Sequence, residues 1–387
     1  MEKIKALPPG SWLGMMGGGQ LGRMFSAAAS RMGYHVAVLD PGEVSPAGEV
    51  SGIRIQKSYK DREALDSMAA LCPAVSTEFE NVPAASLAYL ASKGCRTAPL
   101  AEAVAISQDR NKEKAFIAAA GVPVAPNFPV LSEEDCIGAD PEYFPAILKT
   151  ARLGYDGKGQ VGVDRPEDLL AAYVSLGKVD CILEKKLDLA AECSVIVCRG
   201  LDGESATFPV FENHHLHGIL AETVLPARIP DEAAAEARAG AIRIASAMKY
   251  VGVLCIEFFV LGDGSVVANE TAPRPHNSGH ATIEACMTSQ YEQQVRTMAG
   301  LPLGNTTLMT PAVMLNILGD AWDAAEGDEP DWTAALAIPG VKLHLYGKAE
   351  ARPGRKMGHV TCLGKTPEEA LARAKRVAAV LRLPEPV

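Results

Sequence analysis

Two glutamates in the second half of the chain have the residue type and spacing of metal ligands. Glu257 stands in the apolar run VGVLCIEFFV, and Glu270 ends VVANE with Asn269 beside it. The Gly262-Asp263-Gly264 turn between the two runs predicts a hairpin that brings the acids together. A carboxylate among Cys, Ile and Phe is costly without a compensating cation. Two carboxylates and an amide are hard oxygen ligands suited to Mg²⁺, which is typically shared with substrate phosphates. The alternative is a glutamate facing solvent from one side of the hairpin.

Arg274-Pro275-His276-Asn277-Ser278-Gly279-His280 follows directly. An arginine there can stabilise charge on a transferring phosphoryl group. His276 and His280 have a helical zinc spacing, but Ser278-Gly279 lies between them and no helix is expected, which disfavours zinc. Asn213-His214-His215-Leu216-His217 crowds three histidines too tightly for one ion, leaving a nucleotide contact or a solvated turn.

Three further stretches are built for anions. LKTARLGYDGKGQVGV ends an apolar strand in Lys149 and continues into a loop with Gly154, Gly157 and Gly159 around Asp156 and Lys158. Glycines let backbone N–H groups approach phosphate oxygens and lysines neutralise them, although a surface hairpin explains the glycines equally well. CILEKKL places Glu184 at a strand end before Lys185, Lys186 and Leu187, a pattern that suits a hinge against an adenine edge. The basic knot from Lys348 through Arg352 and Arg355 to His359 is either a local anion site or a solvated charge run. Near the N-terminus, Gly17-Gly18-Gly19-Gln20-Leu21-Gly22 matches the dinucleotide fingerprint, with Asp40 closing the next strand.

The elements that must position these residues alternate at first. Strands at 12–16, 35–39 and 74–77 and helices at 61–71 and 84–93 predict an open parallel sheet, whose strand ends carry Gly17 to Gly22, Asp40 and Glu78. A charged helix, 109–120, leads to a small section with strands 146–150 and 181–184. Long β-runs, a helix at 231–248 and three late strand-like segments complete the chain. Its 387 residues suggest two or three domains, and the net charge of −10 excludes a global attraction to nucleic acid or anionic membrane. No apolar stretch approaches the roughly 18 residues of a membrane span, and MEKIKALPPGSW lacks the apolar core of a secretory signal. Nine scattered cysteines without C-x-x-C read as reduced core thiols of a cytoplasmic protein.

Taken in order, GGGQLGRM (17–24), TEFENV (77–82), GYDGKGQ (154–160), NETAPRPHNSGH (269–280) and PGRKMGH (353–359) resemble the ATP-grasp superfamily. Within it they resemble the branch that carboxylates 5-aminoimidazole ribonucleotide in purine biosynthesis. The resemblance implies an α/β chain, α+β in its centre. It implies a Rossmann-like parallel sheet over 1–112, a small lid domain over 113–186 and a mixed-sheet catalytic domain over 187–387, with a terminal subdomain from about 310. It implies ATP, bicarbonate and the ribonucleotide as substrates, two Mg²⁺ ions, and a homodimer. ATP would be held by Arg110, Lys149, Glu184, Lys185, Lys186, Leu187, Glu192, His215, Asn269 and Glu270. The loop Gly154, Tyr155, Asp156, Gly157, Lys158, Gly159 and Gln160 would cover its phosphates. Glu257 and Glu270 would bind metal. Gly19, Gln20, Leu21, Glu78, Tyr155, Asp156, Arg274, Lys348 and Arg355 would hold the ribonucleotide. Arg274 would stabilise the transferring group, and Asp156 and His276 are both candidates for handling the amine proton. The rival readings are a formate-using or biotin-type ATP-grasp carboxylating enzyme, an NAD-linked oxidoreductase resting on residues 17–22 and Asp40 alone, and a non-catalytic nucleotide-binding sensor, which should have lost the metal acids.

Overall fold

Short apolar runs separated by amphipathic segments fold the first hundred residues as a parallel sheet. In the computed structural model, which describes residues 5–154, 157–325 and 329–387, five strands form it. They are β1 (Trp12–Met16), β2 (His35–Leu39), β3 (Ile53–Ile55), β4 (Ala74–Thr77) and β5 (Arg96–Thr97), in the order β3-β2-β1-β4-β5. β1, β2 and β4 are buried almost throughout, which is why they read as continuous apolar runs. Strand order reverses between β1 and β4, so the crevice expected at a switch point opens where Gly17 and Glu78 stand. Asp61 and Asp109 cap the helices Arg62–Leu71 and Arg110–Ala119, each accepting from a backbone N–H three residues on.

A second, antiparallel sheet follows: β6 (Asn127–Val130), β7 (Ala146–Thr150), β8 (Gln160–Val163) and β9 (Cys181–Lys185), in the order β6-β9-β7-β8. Its own core gathers Val130, Leu148, Leu183 and the helix residues Leu169 and Tyr173. Tyr155 and Asp156 of the glycine loop lie outside the described residues.

The third sheet takes β10 (Leu189–Arg199), β11 (Ser205–Thr207), β12 (Phe211–Leu216), β13 (Ile219–Leu225), β14 (Gly252–Leu261) and β15 (Val266–Ala272). β16 (Ala312–Leu318), β17 (Val341–Leu345) and β18 (Lys356–Leu363) extend the same sheet, in the order β15-β14-β10-β12-β13-β16-β18-β17 with β11 beside β10. The helix Asp231–Ala247 buries Ala233, Ala237, Ala241 and Ile244. These stand three and four residues apart and pack against β10 and β14. All nine cysteines are free and buried. Cys72 and Cys95 lie in the first core, Cys136 and Cys181 in the second, and the others in and around the third sheet.

Candidate active site

Elements of all three sheets line one cleft of about 1140 Å³. Its most acidic wall is the β14–β15 hairpin, where Glu257 pairs directly with Glu270. The register breaks immediately afterwards, and Asn269 is the extra residue of a β-bulge. In a regular strand Asn269 and Glu270 would face opposite sides; with the bulge both line the cleft. The Asn269 Oδ1 is buried and has no hydrogen-bond partner among the described residues. Glu270 Oε2 accepts from Arg110 Nη1 at 2.8 Å, and Glu257 Oε1 lies 3.2 Å from His276 Nε2. Two carboxylates and an open amide oxygen on one bulge are a hard-oxygen donor set that fits Mg²⁺.

Behind this wall the helix Arg110–Ala119 presents Arg110, Glu113 and Lys114, which are one helical turn apart and share a face. Glu113 Oε1 accepts from the Thr271 N–H at 2.7 Å and from its hydroxyl at 2.5 Å, pinning the strand just past the bulge. Lys114, 1% exposed, reaches Glu184 at 3.3 Å and donates to the Asn269 carbonyl. Lys149 meets the same Glu184 oxygen at 3.0 Å. The charges therefore interlock. Burial works against ionised Glu270, yet Arg110, Lys149 and Lys114 bring its carboxyl down to about 2. Glu113 is pushed up to about 7 by burial and by Glu270. The sequence shows a charged helix here, and resemblance singles out Arg110 alone; Glu113 and Lys114 carry a signal of their own in the i, i+3, i+4 spacing they share with Arg110.

The opposite wall is the glycine turn, and its amides are already engaged. Glu78, 8% exposed, accepts from the N–H of Gly19 and, at 2.7 Å, from that of Gly22. Asp40 accepts from Gly18 N–H at 2.8 Å, Gly42 N–H at 2.7 Å and the Tyr59 hydroxyl at 2.8 Å. Both acids thus hold the turn in shape. A dinucleotide pyrophosphate would have to displace Glu78, and Asp40 is committed to the turn. What the helix N-terminus still offers is Gln20 and Leu21, whose N–H groups have no carbonyl one turn back and which line the cleft.

Arg274 bridges the walls by pairing with Glu80 at 2.8 Å, and Gln108 braces Glu80 through its carbonyl at 2.6 Å. At the far end Lys348, Arg352, Arg355 and Lys356 line the cleft, with Lys348 Nζ donating to the Lys356 carbonyl at 2.6 Å.

Comparison with known proteins agrees in every segment. An ATP-grasp domain model matches residues 115–291, a ribonucleotide synthetase preATP-grasp domain model 11–108, and a phosphoribosylaminoimidazole carboxylase C-terminal domain model 312–373. The N5-carboxyaminoimidazole ribonucleotide synthase of Bacillus subtilis is 41% identical over 362 residues, 93% of each chain. That of Brucella melitensis is 45% identical over 93% of this chain and 98% of its own. The chain belongs to the N5-carboxyaminoimidazole ribonucleotide synthase family. A crystal structure of such a synthetase in complex with ADP superposes with a TM-score of 0.91 at 42% identity, covering 97% of this chain and 98% of that one. The Aspergillus clavatus synthase, in complex with ADP and 5-aminoimidazole ribonucleotide, gives 0.88 at 31% identity over 97% and 99%.

In this synthase fold most of the expected residues meet at the cleft. Gln20, Leu21 and Glu78 line one side, and Arg110, Lys149, Glu192 and His215 another. Glu257, Asn269, Glu270, Arg274 and His276 form the centre. Gly154, Gly157, Lys158 and Gln160 reach in from the loop and the start of β8, and Lys348 and Arg355 from the connection between β17 and β18. Glu184 sits beneath the floor, and Gly159, Lys185, Lys186 and Leu187 are not on the lining. Gly19 contributes through its bond to Glu78. The crowded histidines separate: His215 Nδ1 lies 2.9 Å from Glu192, His214 pairs with Glu212 at 2.9 Å, and His217 is in an exposed turn. His280 meets the Tyr291 hydroxyl through Nδ1 at 2.9 Å, and its ring packs against that of His359. No group of three or more metal-ligating His, Cys, Asp or Glu side chains exists among the described residues.

Proposed function

We propose that this chain carboxylates the exocyclic amine of 5-aminoimidazole ribonucleotide. ATP and bicarbonate are consumed, and N5-carboxyaminoimidazole ribonucleotide, ADP and phosphate are formed in de novo purine biosynthesis. The observation that carries the reading is the bulged hairpin with Glu257, Asn269 and Glu270, facing Arg274 in the cleft that also holds Lys348 and Arg355.

Bicarbonate is a poor electrophile; its oxygen takes the γ-phosphoryl group of ATP to give carboxyphosphate and ADP. The amine then captures carboxyphosphate, or the CO₂ it releases in the cleft, with loss of phosphate and one proton. Arg110, Lys149, Glu192 and His215 bind ATP, and the 154–160 loop covers its phosphates and excludes water. Glu257 and Glu270 hold Mg²⁺, which when bound neutralises charge on the transferring phosphate. Arg274 supplies fixed positive charge to the same group and to carboxyphosphate. Gln20 and Leu21 offer amide donors to the ribonucleotide phosphate, Glu78 stands at its ribose side, and Lys348 and Arg355 supply cations around it. Either Asp156 or His276 takes the amine proton. A cytoplasmic homodimer completes the proposal.

Phosphate release from ATP and bicarbonate, measured with and without aminoimidazole ribonucleotide, tests this. Substrate-stimulated release is expected; folded protein without it overturns the reaction. Tight NADH binding would instead favour the dehydrogenase reading.

A further inference from the structure

The helix Gln290–Ala299 is wedged between the first sheet and the large one. Tyr291, Val295 and Met298 share a core with Leu13, Met15 and Phe25, and the helix also packs against β10 and β14. Gln290 and Gln294 stand one turn apart on it, and both are fully buried, at 0% exposure. Gln290 Oε1 accepts from the His276 N–H at 2.8 Å, and its Nε2 donates to the His276 carbonyl at 2.7 Å. Gln294 Oε1 accepts from the Val253 N–H of β14 at 2.8 Å. Its Nε2 donates to the Ala98 carbonyl at 2.8 Å and to the Ser76 hydroxyl oxygen at 2.9 Å. Ser76 lies in β4, two residues before Glu78.

Neither amide can be turned over. A backbone N–H only donates and a backbone carbonyl only accepts, and each glutamine meets one of each. A reversed amide would set hydrogen against hydrogen and oxygen against oxygen in a buried place. His276 is extended, with φ −119° and ψ 155°, yet it lies in no strand. Gln290 gives it the donor and the acceptor that a neighbouring strand would give. The same end of the helix is tied again through Thr282. Its Oγ1 accepts from the Gln290 N–H at 3.0 Å, and its hydroxyl donates to the Gly279 carbonyl at 2.6 Å. Each amide also rests where a side chain is missing. A Cβ on Gly279 would stand 2.6 Å from Gln290 Oε1, and one on Gly252 would stand 3.1 Å from Gln294 Oε1.

One turn of a buried helix therefore holds the centre of the cleft at one end and the strand that carries Glu78 at the other. We propose that Gln290 and Gln294 form a two-pronged fork that sets the spacing between the ribonucleotide wall and the Arg274–His280 loop. Both are positioning residues: Gln290 acts through His276, and Gln294 through β4 and β14. The inference rests on the carboxylation reading above and deepens it. Carboxyphosphate formed beside Arg274 must meet the amine before it and its CO₂ are lost, and a fixed spacing keeps capture ahead of escape.

Gln290→Met and Gln294→Met keep the length of the side chain and remove its amide bonds. Initial rates of phosphate release and of ribonucleotide consumption, taken from one mixture, give a ratio that does not depend on how much of the protein is folded. The wild type should consume about one ribonucleotide per phosphate, the stoichiometry of the aligned reaction. Each variant should consume at least about threefold fewer per phosphate, as misplaced reacting groups do, while its affinity for ADP by calorimetry stays within about twofold. Ser76→Ala removes one bond of Gln294 and should lower the ratio in the same direction, so it carries the test where a methionine variant does not fold. A wild-type ratio in either folded methionine variant would overturn the fork. Amide hydrogen exchange gives a second reading without substrate. The His276 N–H should be protected in the wild type and exposed in Gln290→Met, and the Val253 N–H exposed in Gln294→Met. An unprotected His276 N–H in the wild type overturns the proposal. Absence of ribonucleotide-stimulated turnover in the wild type counts against the reaction alone, because exchange is read independently of it.

Discussion

Glu78 is an acid where the fingerprint led one to expect a ligand's phosphate. Burial pushes its carboxyl up to about 6 from an ordinary 4.5, against the opposing pull of the Gly22 and Gly19 amides. An acid raised on folding binds more protons in the native state, so its contribution to stability declines as pH rises from about 4.5 to about 6. By linkage the decline is about 2 kcal/mol. Glu78→Gln should flatten the slope of unfolding free energy over that window in chemical denaturation at several pH values; an unchanged slope would mean another group carries it. Lys114 is the complementary case, a buried cation shared by Glu184 and the Asn269 carbonyl. Removing one member of such a cluster strands the others, so Lys114→Met should cost about 3 kcal/mol of unfolding free energy. A loss below about 1 kcal/mol would show that Lys149 alone satisfies Glu184.

At the scale of elements the bulge at Asn269 is the decisive irregularity. Deleting Asn269 would leave Ala268 opposite Phe258 and Glu270 opposite Glu257 in plain pairing, removing the open amide oxygen and the local bend that the bulge gives the strand. Such a deletion should reduce turnover at least about a hundredfold, as misplaced reacting groups do, while circular dichroism stays close to wild type; retained turnover would remove the bulge from the site. Glu270→Gln tests the same wall chemically, with loss of turnover expected in a protein that still folds but unfolds at a lower denaturant midpoint, because Arg110 loses its charged partner. This irregularity was not legible in the sequence, although the hairpin was. The Gly262-Asp263-Gly264 turn and two apolar runs announce the strands, whereas a bulge depends on what Glu113 grips across 158 residues. Elsewhere elements were legible where burial and breakers agree. Ala74–Thr77 and Ala146–Thr150 stand as read, since each is a short apolar run with polar residues or Pro beside it. The grip of Glu78 on Gly19 and the Gln294–Ser76 contact were not legible, because they join distant residues and, for the glutamine, carry no charge pattern.

For the whole molecule, Gly157 is where the glycine loop meets the large sheet. Gly157 has φ +75°, and an added Cβ would stand 3.1 Å from the His217 carbonyl in the β12–β13 turn. Gly157→Ala should therefore cost about 1–2 kcal/mol of loop closure, seen as a fall of about tenfold in kcat/KM for ATP with the melting temperature unchanged. An unaffected kcat/KM would show that the loop does not close through this contact. That long-range contact also explains why the loop alone read equally well as a surface hairpin. The same modular build gives the buried cysteines a use no sequence pattern suggests. Each sheet carries its own thiols, and burial raises Cys72 and Cys193 to about 12 and Cys181 to about 11. A thiol reagent therefore reacts with each only when its surroundings open. The chain carries an intrinsic clock for each part, so labelling followed residue by residue would time the opening around the second sheet against that around the first without a foreign probe.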